Sequence, residues 1–265
     1  MKSGNFDNHS KYSLSKVNIS RAQKFWERSS QSTFFTNPNQ ISLFENKIDW
    51  WIASKGSEEL CMWSVCYSPI KKVFLPLFSY YFGPIWSNSF LETSNHSKLN
   101  SSIKIYDLFF REFIKTYKNF IFQTHYDEHD LRFFLWWNDV NKKKFSIKPK
   151  YSSVIDQLDK EKKNNIFLNF RELRRRMARR AQKNKNIMET NEFNYNEITQ
   201  LYKKTLKNKN QKVNKDILKK IKLFFNLCKK GEGKMLGYRE KVNKKLISFI
   251  LLIFSKHSAN LILNL

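Results

Sequence analysis

Six arginines fall within ten consecutive positions, 171–180, of the stretch FRELRRRMARRAQKNK, whereas the rest of the chain contains five more. A helical wheel at about 100° per residue separates the side chains of this stretch into a narrow apolar arc and a broad cationic remainder. The apolar arc comprises Phe167, Phe170, Leu173, Met177 and Ala181. We therefore predict a helix that docks through the apolar stripe. A planar guanidinium binds phosphate through two hydrogen bonds, and the predicted contacts to a phosphate-bearing ligand are Arg175, Arg176, Arg179 and Arg180.

Two other interpretations of the arginine cluster remain open. It is also compatible with a basic linker helix whose arginines are solvated or pair with distant acids. A third possibility is an arm that binds RNA, because the second part of the chain is strongly basic: residues 151–265 hold 28 basic and 10 acidic residues of a chain whose net charge is +26. Lysine accumulates throughout this Asn- and Phe-rich sequence, so arginine is the more informative cation.

The segment HYDEHD, residues 125–130, holds the second group of candidate residues. His125 and His129 lie four residues apart, a spacing that could bind zinc on a helix. The segment follows a predicted strand, however, and Asp130 is placed to cap the next predicted helix. Asp127 and His129 are then the candidates for contacting an acceptor amine or accepting its proton, and we expect no metal.

Composition limits the class of protein. Three cysteines without CxxC spacing favour buried thiols in a reducing compartment. The N-terminus lacks the apolar stretch of a signal peptide, and no apolar run reaches the roughly 18–20 residues of a membrane helix. These features predict a cytoplasmic protein without a membrane span. The pairs Trp50–Trp51 and Trp136–Trp137 are expected in the core.

Local patterns predict the elements that position these residues. Residues 1–19 are expected to be loose. Predicted helices cover 21–29, 104–117, 130–137, 192–206 and 214–231. Predicted strands cover 50–56, 59–69, 78–87, 119–125, 233–240, 245–254 and 258–265. A helix pair followed by an antiparallel meander occurs twice in this order, which indicates an internal duplication of one α/β unit.

The stretch from SSVID through the arginine cluster to NEITQLYKKTL resembles the central part of the FemAB-like branch of the GNAT acyltransferase superfamily. In that branch a strand ending in a hydrophobic–Asp pair leads into a helix of the pattern R-R-x-x-R-K-A, matched here by Arg175, Arg176, Arg179, Arg180 and Ala181. Upstream, FSYYFGPIWS is similar to the family's "Y.Gp" strand. Downstream, GKMLGYRE and KLISFILLIF are similar to its meander. The resemblance extends from about residue 21 to residue 265 and rests on order and spacing.

The resemblance implies an α/β (α+β) fold with two tandem GNAT-like domains built on mainly antiparallel mixed sheets. The domains would cover 20–165 and 186–265, joined by an Arg-rich helix at 166–185. It also implies transfer of an acyl or aminoacyl group from acyl-CoA or aminoacyl-tRNA to an amine, with the arginines near the donor phosphates. Catalysis in this superfamily rests on positioning and backbone hydrogen bonds to the oxyanion.

The second predicted domain departs from the family pattern. A GNAT unit continues past its central hairpin into a helix whose N-terminus holds the donor pyrophosphate. GEGKMLG, residues 231–237, precedes a strand and is not that loop. We therefore expect a shortened second domain, in a chain that is a frameshift product, a fragment, or a protein whose other half is supplied elsewhere. Such shortening could abolish the activity. A non-enzymatic RNA- or polyanion-binding protein is the alternative.

Overall fold

The computed structural model describes residues 11–128, 130–140, 144–150 and 163–265. These residues separate into two compact units, one formed by the chain up to Ser146 with Ile253–Asn260, the other by Ile147–Leu252 with Leu261–Leu265. The described chain contains two four-stranded sheets, both antiparallel, together with helices. The fold is therefore mixed α+β with antiparallel sheets, as predicted from the sequence.

The first sheet is formed by β1 (Tyr12–Val17), β2 (Ile48–Lys55), β3 (Glu58–Cys66) and β4 (Pro84–Trp86), in the spatial order β1-β2-β3-β4. Two helices and a short 3₁₀ helix (Phe34–Thr36) lie between β1 and β2 in the chain. The hairpin between β2 and β3 turns at Gly56, whose φ of +60° suits glycine. The two helices are α1 (Ile19–Arg28) and α2 (Pro38–Phe44).

Both faces of this sheet are buried. Successive residues of a strand point to opposite sides of the sheet, and on each side the residues of β2 enter a different core cluster. Trp51 and Ala53 of β2 join a core cluster with α4 (Asn95–Thr116) and α5 (Arg132–Val140). Ile52 joins a second cluster with α1. The short helix α3 (Asn88–Leu91) precedes α4. Burial on both faces explains the uninterrupted apolar runs Trp50–Ala53 of β2 and Leu60–Trp63 of β3.

Aromatic packing fills the larger cluster. The indole of Trp63, 1% exposed, makes edge contacts with rings of α4 and of the segment after it, at centroid distances of 4.9–6.1 Å. Edge-to-face packing of this kind stabilises the pair beyond the area it buries. The rings are Tyr106, Phe109, Phe110, Phe113, Phe120 and Phe122.

Three predictions for the first unit are corrected. Residues 12–17, expected to be loose, form the edge strand β1. The strand predicted at 78–87 is limited to Pro84–Trp86. Residues 119–125, predicted as a strand, take part in one isolated bridge, between Phe82 and Gln123, because their backbone has no continuous ladder partner although Phe120 and Phe122 pack against the core.

The second sheet has the order β5-β6-β7-β8, and two helices lie between β5 and β6 in the chain. The element order strand, helix pair, three strands is therefore the same in both sheets. The elements are α6 Lys163–Leu168, α7 Glu172–Lys183, β5 Ile187–Thr190, α8 Tyr195–Asn208, α9 Lys215–Lys229, β6 Gly233–Glu240, β7 Leu246–Phe254 and β8 Ala259–Asn264. The predicted helix pair and the three predicted C-terminal strands are confirmed.

An ion pair fastens α8 to β6. The Arg239 guanidinium donates from Nη1 to Glu197 Oε1 at 2.7 Å and from Nη2 to Glu197 Oε2 at 2.8 Å. The same nitrogens reach the carbonyl oxygens of Lys244 and Glu192. The Arg239 side chain holds the pKa of Glu197 below its usual range, so the carboxylate stays charged.

Candidate active site and arginine helix

Four arginines were predicted to bind anions, and all of them lie on α7. The helix is confirmed, but the docking of its apolar stripe is wrong, since no residue of α7 is buried. Leu173 is 60% exposed and Met177 is 53% exposed. Phe170, 42% exposed, lies in a break that separates α6 from α7. The helical wheel therefore correctly placed Leu173 and Met177 on one side of the helix, but the prediction that this side is buried is wrong.

Arg175 and Arg179 are engaged locally. The Nη1 group of Arg175 donates to the carbonyl oxygen of Leu168, the last residue of α6. The guanidinium of Arg179 lies over the ring of Phe167, 5.6 Å from its centroid. Both contacts stabilise α6. The guanidinium of Arg175 does so because a cation at a helix C-terminus satisfies a free carbonyl and complements the helix dipole.

Arg176 and Arg180 are exposed. Among the residues that the structure describes, no carboxylate lies within 4.0 Å of either guanidinium. These two side chains are therefore the free cations of the predicted set.

The candidate active site is built around His125 at the end of the aromatic segment. Phe82 and Gln123 exchange backbone hydrogen bonds, and this bridge brings His125 next to the residue before Phe82: the rings of Tyr81 and His125 lie 5.6 Å apart. Tyr126 packs on the imidazole at 4.1 Å, and the imidazole is 5% exposed. Burial lowers the pKa of His125, so the neutral ring predominates near pH 7.

Asp127 is held by that imidazole. Its backbone N–H donates to His125 Nδ1 at 3.3 Å, while its side chain is 56% exposed. Tyr126, 40% exposed, contacts both the imidazole of His125 and the ring of Tyr81. Asp127 is thus an accessible carboxylate beside an aromatic surface. His129, the other predicted catalytic candidate, lies outside the described residues.

Glu128 is a site residue that the sequence analysis missed. Its Oε2 accepts hydrogen bonds from the indole nitrogen of Trp86 at 2.9 Å and from the hydroxyl of Tyr106 at 3.2 Å. Burial raises the pKa of Glu128. Burial and this carboxylate raise the pKa of the neighbouring Cys61 thiol, which excludes a thiolate nucleophile there. The only sequence signal was a third carboxylate within HYDEHD.

Asp130 contributes to helix capping. Its carboxylate accepts a hydrogen bond from the backbone N–H of Arg132, the first residue of α5, at 3.1 Å. It also forms an ion pair with the Arg132 side chain, which lowers the pKa of Asp130. Asp130 therefore satisfies one N–H of the first turn, but it stands two residues before the helix starts and Leu131 occupies the N-cap position, which corrects the predicted N-cap.

Two further polar groups serve the fold. Asp49, 3% exposed, accepts from Tyr117 at 2.6 Å and Tyr67 at 3.2 Å and pairs with Lys16 at 2.6 Å. A cleft of about 320 Å³ lies beside Arg28, whose guanidinium pairs with Glu59 at 2.8 Å. The same carboxylate pairs with Arg21 at 2.7 Å, so two guanidiniums share it.

The tryptophans that were predicted to lie in the core differ in their burial. Trp51 and Trp137 are buried, as predicted, at 8% and 7% exposure. Trp136 is 47% exposed, which corrects its assignment to the core. Neighbours on a helix point about 100° apart, so only one of two adjacent residues faced the core.

Within the described ranges, no group of three or more His, Cys, Asp or Glu side chains is arranged to hold a metal ion. None of the helices in the described part of the chain combines the length and apolar character needed to cross a bilayer. No protein-family model, curated protein or solved structure significantly matches the chain.

Proposed function

We propose that this chain is an acyltransferase of the FemAB-like GNAT type, which transfers an acyl or aminoacyl group to an amine. The observation that carries the proposal is the repeated element order. Each sheet is made from a strand, a helix pair and three more strands, with the same spatial order of strands. Two tandem GNAT-like domains would have this repeat, and the sequence resemblance leads to the same superfamily.

The reaction needs an acceptor site and a donor site. The amine nitrogen attacks the carbonyl carbon of a thioester or ester, the C–S or C–O bond breaks, and the amine proton passes to the leaving group or to a base. We assign the acceptor ammonium to the exposed carboxylate of Asp127, next to Tyr126. The bound nitrogen gives up one proton to that carboxylate or to water before its lone pair attacks. His125 is a positioning residue in this scheme, because its Nδ1 holds the backbone of Asp127.

The donor is acyl-CoA or aminoacyl-tRNA, and no metal takes part. Both donors carry phosphates, which are the ligands predicted for the arginines of α7. Arg176 and Arg180 have free guanidiniums for such contacts, whereas Arg175 and Arg179 are engaged with α6. The carbonyl oxygen that becomes negative would be stabilised by backbone N–H groups, as in the superfamily that the sequence resembles.

The test is transfer by the purified full chain. It is incubated with radiolabelled acetyl-CoA or with aminoacyl-tRNA and a pool of primary amines, and labelled amide is quantified. Asp127→Asn should lower kcat/KM on the order of a hundredfold, whereas Asp139→Asn, an exposed carboxylate on α5, should leave it unchanged. An absence of transfer with every donor, or equal activity of the two variants, would contradict the proposal.

A second candidate function is non-enzymatic binding of RNA or another polyanion. The exposed arginines of α7, which lack carboxylate partners in the described chain, favour it. Such binding is promiscuous, and its log K falls steeply with log salt concentration. A titration of RNA homopolymers between low and physiological salt separates it from a donor site, which selects one ligand.

A further inference from the structure

Helix α7 leaves apolar side chains in water. Leu173 and Met177 are each more than half exposed, and Phe170 just before the helix is 42% exposed. A helix of a soluble domain normally buries such a stripe against the core. A contiguous exposed apolar surface marks an interaction site.

The stripe points away from the contacts that Arg175 and Arg179 make with α6. At about 100° per residue, Leu173, Met177 and Ala181 share an arc of about 80°, and Arg175 and Arg179 lie on the opposite side. Those two arginines are the ones that contact Leu168 and Phe167 of α6. Helix α6 therefore packs on the arginine side and leaves the stripe uncovered.

Cations border the stripe on both sides. Arg174 lies at one edge of the apolar arc, and Arg176 and Arg180 lie at the other. Glu172 is the one acidic residue of the helix. The outward surface therefore combines an apolar centre with guanidinium edges.

We propose that this surface docks on an anionic lipid membrane. Leu173 and Met177 enter the boundary between headgroups and acyl chains, and Arg174, Arg176 and Arg180 bind lipid phosphates with their aliphatic stems along the apolar layer. Helix α7 has 12 residues and is about 18 Å long, so it lies in the plane of the interface. This inference does not depend on the transferase activity, but it uses the two arginines that we assign to the donor phosphates, so lipid and donor would compete for α7.

A lipid surface explains the stripe better than RNA does. RNA phosphates would engage the arginines, but the backbone of RNA offers nothing to Leu173 or Met177. An anionic bilayer binds both parts of the surface, since it combines negative headgroups with an apolar layer a few ångströms below them.

The experiment is flotation of the full chain with vesicles of phosphatidylcholine alone or with phosphatidylglycerol added. The wild-type chain should bind the anionic vesicles and not the neutral ones. The double variant L173Q/M177Q should weaken binding about tenfold at unchanged charge, and R176Q/R180Q should weaken it by a similar factor and flatten its salt dependence. Matched controls are K203Q/K204Q on α8 and Ile70→Gln, which alter equally exposed residues elsewhere.

Two outcomes would overturn the proposal. One is the absence of binding to anionic vesicles. The other is equal binding by the wild-type chain and L173Q/M177Q, together with binding of poly(U) by both, which would assign α7 to RNA. Because the substituted side chains are exposed, thermal unfolding of every variant should match that of the wild type, and this measurement verifies that the variants are folded.

Discussion

Phe82 and Gln123 exchange both of their backbone hydrogen bonds, each 3.0 Å long from nitrogen to oxygen. This pair joins the approach to β4 with the aromatic segment that follows α4. It brings His125 and Asp127 beside Tyr81, and it requires a glycine at the next position. A β-carbon on Gly83 would lie 2.7 Å from the carbonyl oxygen of Gln123.

Gly83→Ala should therefore destabilise the first unit. The obstructing atom belongs to the backbone, so the segment must shift, at a cost of about 1–3 kcal/mol. For a chain of this size each kcal/mol lowers Tm by about 2–4 °C. Differential scanning calorimetry measures the change against Ser89→Ala, an exposed control. An unchanged Tm would mean that the close approach does not exist.

The stabilities of two variants at Glu128 should distinguish the effect of losing hydrogen bonds from the effect of losing a charge. Glu128→Ala leaves the buried donors of Trp86 and Tyr106 without their acceptor, which costs about 1–3 kcal/mol for each donor. Glu128→Gln keeps a carbonyl oxygen in place and removes a carboxylate whose pKa burial has raised. We expect the Gln variant to be clearly more stable than the Ala variant in urea denaturation. The reverse order would refute the hydrogen-bonding role.

His125 should make the folded state sensitive to acid. Its pKa is lowered in the folded chain, so the unfolded chain, with a value of about 6.5, binds the proton first. This contribution is fully present above that pH and is lost as the pH falls toward the lower folded pKa. His125→Gln should reduce the fall in Tm between about pH 7 and pH 5.

The control for this pH series is His257→Gln, which alters an exposed imidazole. Glu128 acts in the opposite direction, since a raised pKa lowers stability as the pH rises, so the difference between variant and wild type is the quantity to compare. Parallel curves for the wild type and His125→Gln would contradict the prediction.

Arg239→Lys should destabilise the second sheet although it retains the positive charge. An ammonium cannot reproduce the two parallel bonds to Glu197 together with bonds to two backbone carbonyls. We expect a loss of about 1–3 kcal/mol in the free energy of unfolding. Arg132→Lys, whose exposed partner is its neighbour Asp130, is the matched control and should change stability little. Equal effects would show that charge alone matters.

Local patterns were sufficient for much of this fold. The strand-forming residues of β2 and β3 and the Gly-Ser turn between them predicted their hairpin, and amphipathic helical spacing predicted α8 and α9. The 119–125 segment shows the limit of such reasoning. Its apolar residues correctly indicate burial of Phe120 and Phe122 against Trp63, but a strand also needs a neighbour for its backbone, and that neighbour is supplied by distant parts of the chain.

The sequence by itself determined the hairpin of β2 and β3, the helices α8 and α9, where the arginines concentrate, and that a helix pair followed by a meander occurs twice, because these properties depend on residues a few positions apart. Only the tertiary structure decided that Glu128 joins Trp86 and Tyr106, and that the apolar stripe of α7 is exposed. Burial and hydrogen bonding depend on which distant side chains meet, and helical or strand periodicity carries no information about the identity of the partner.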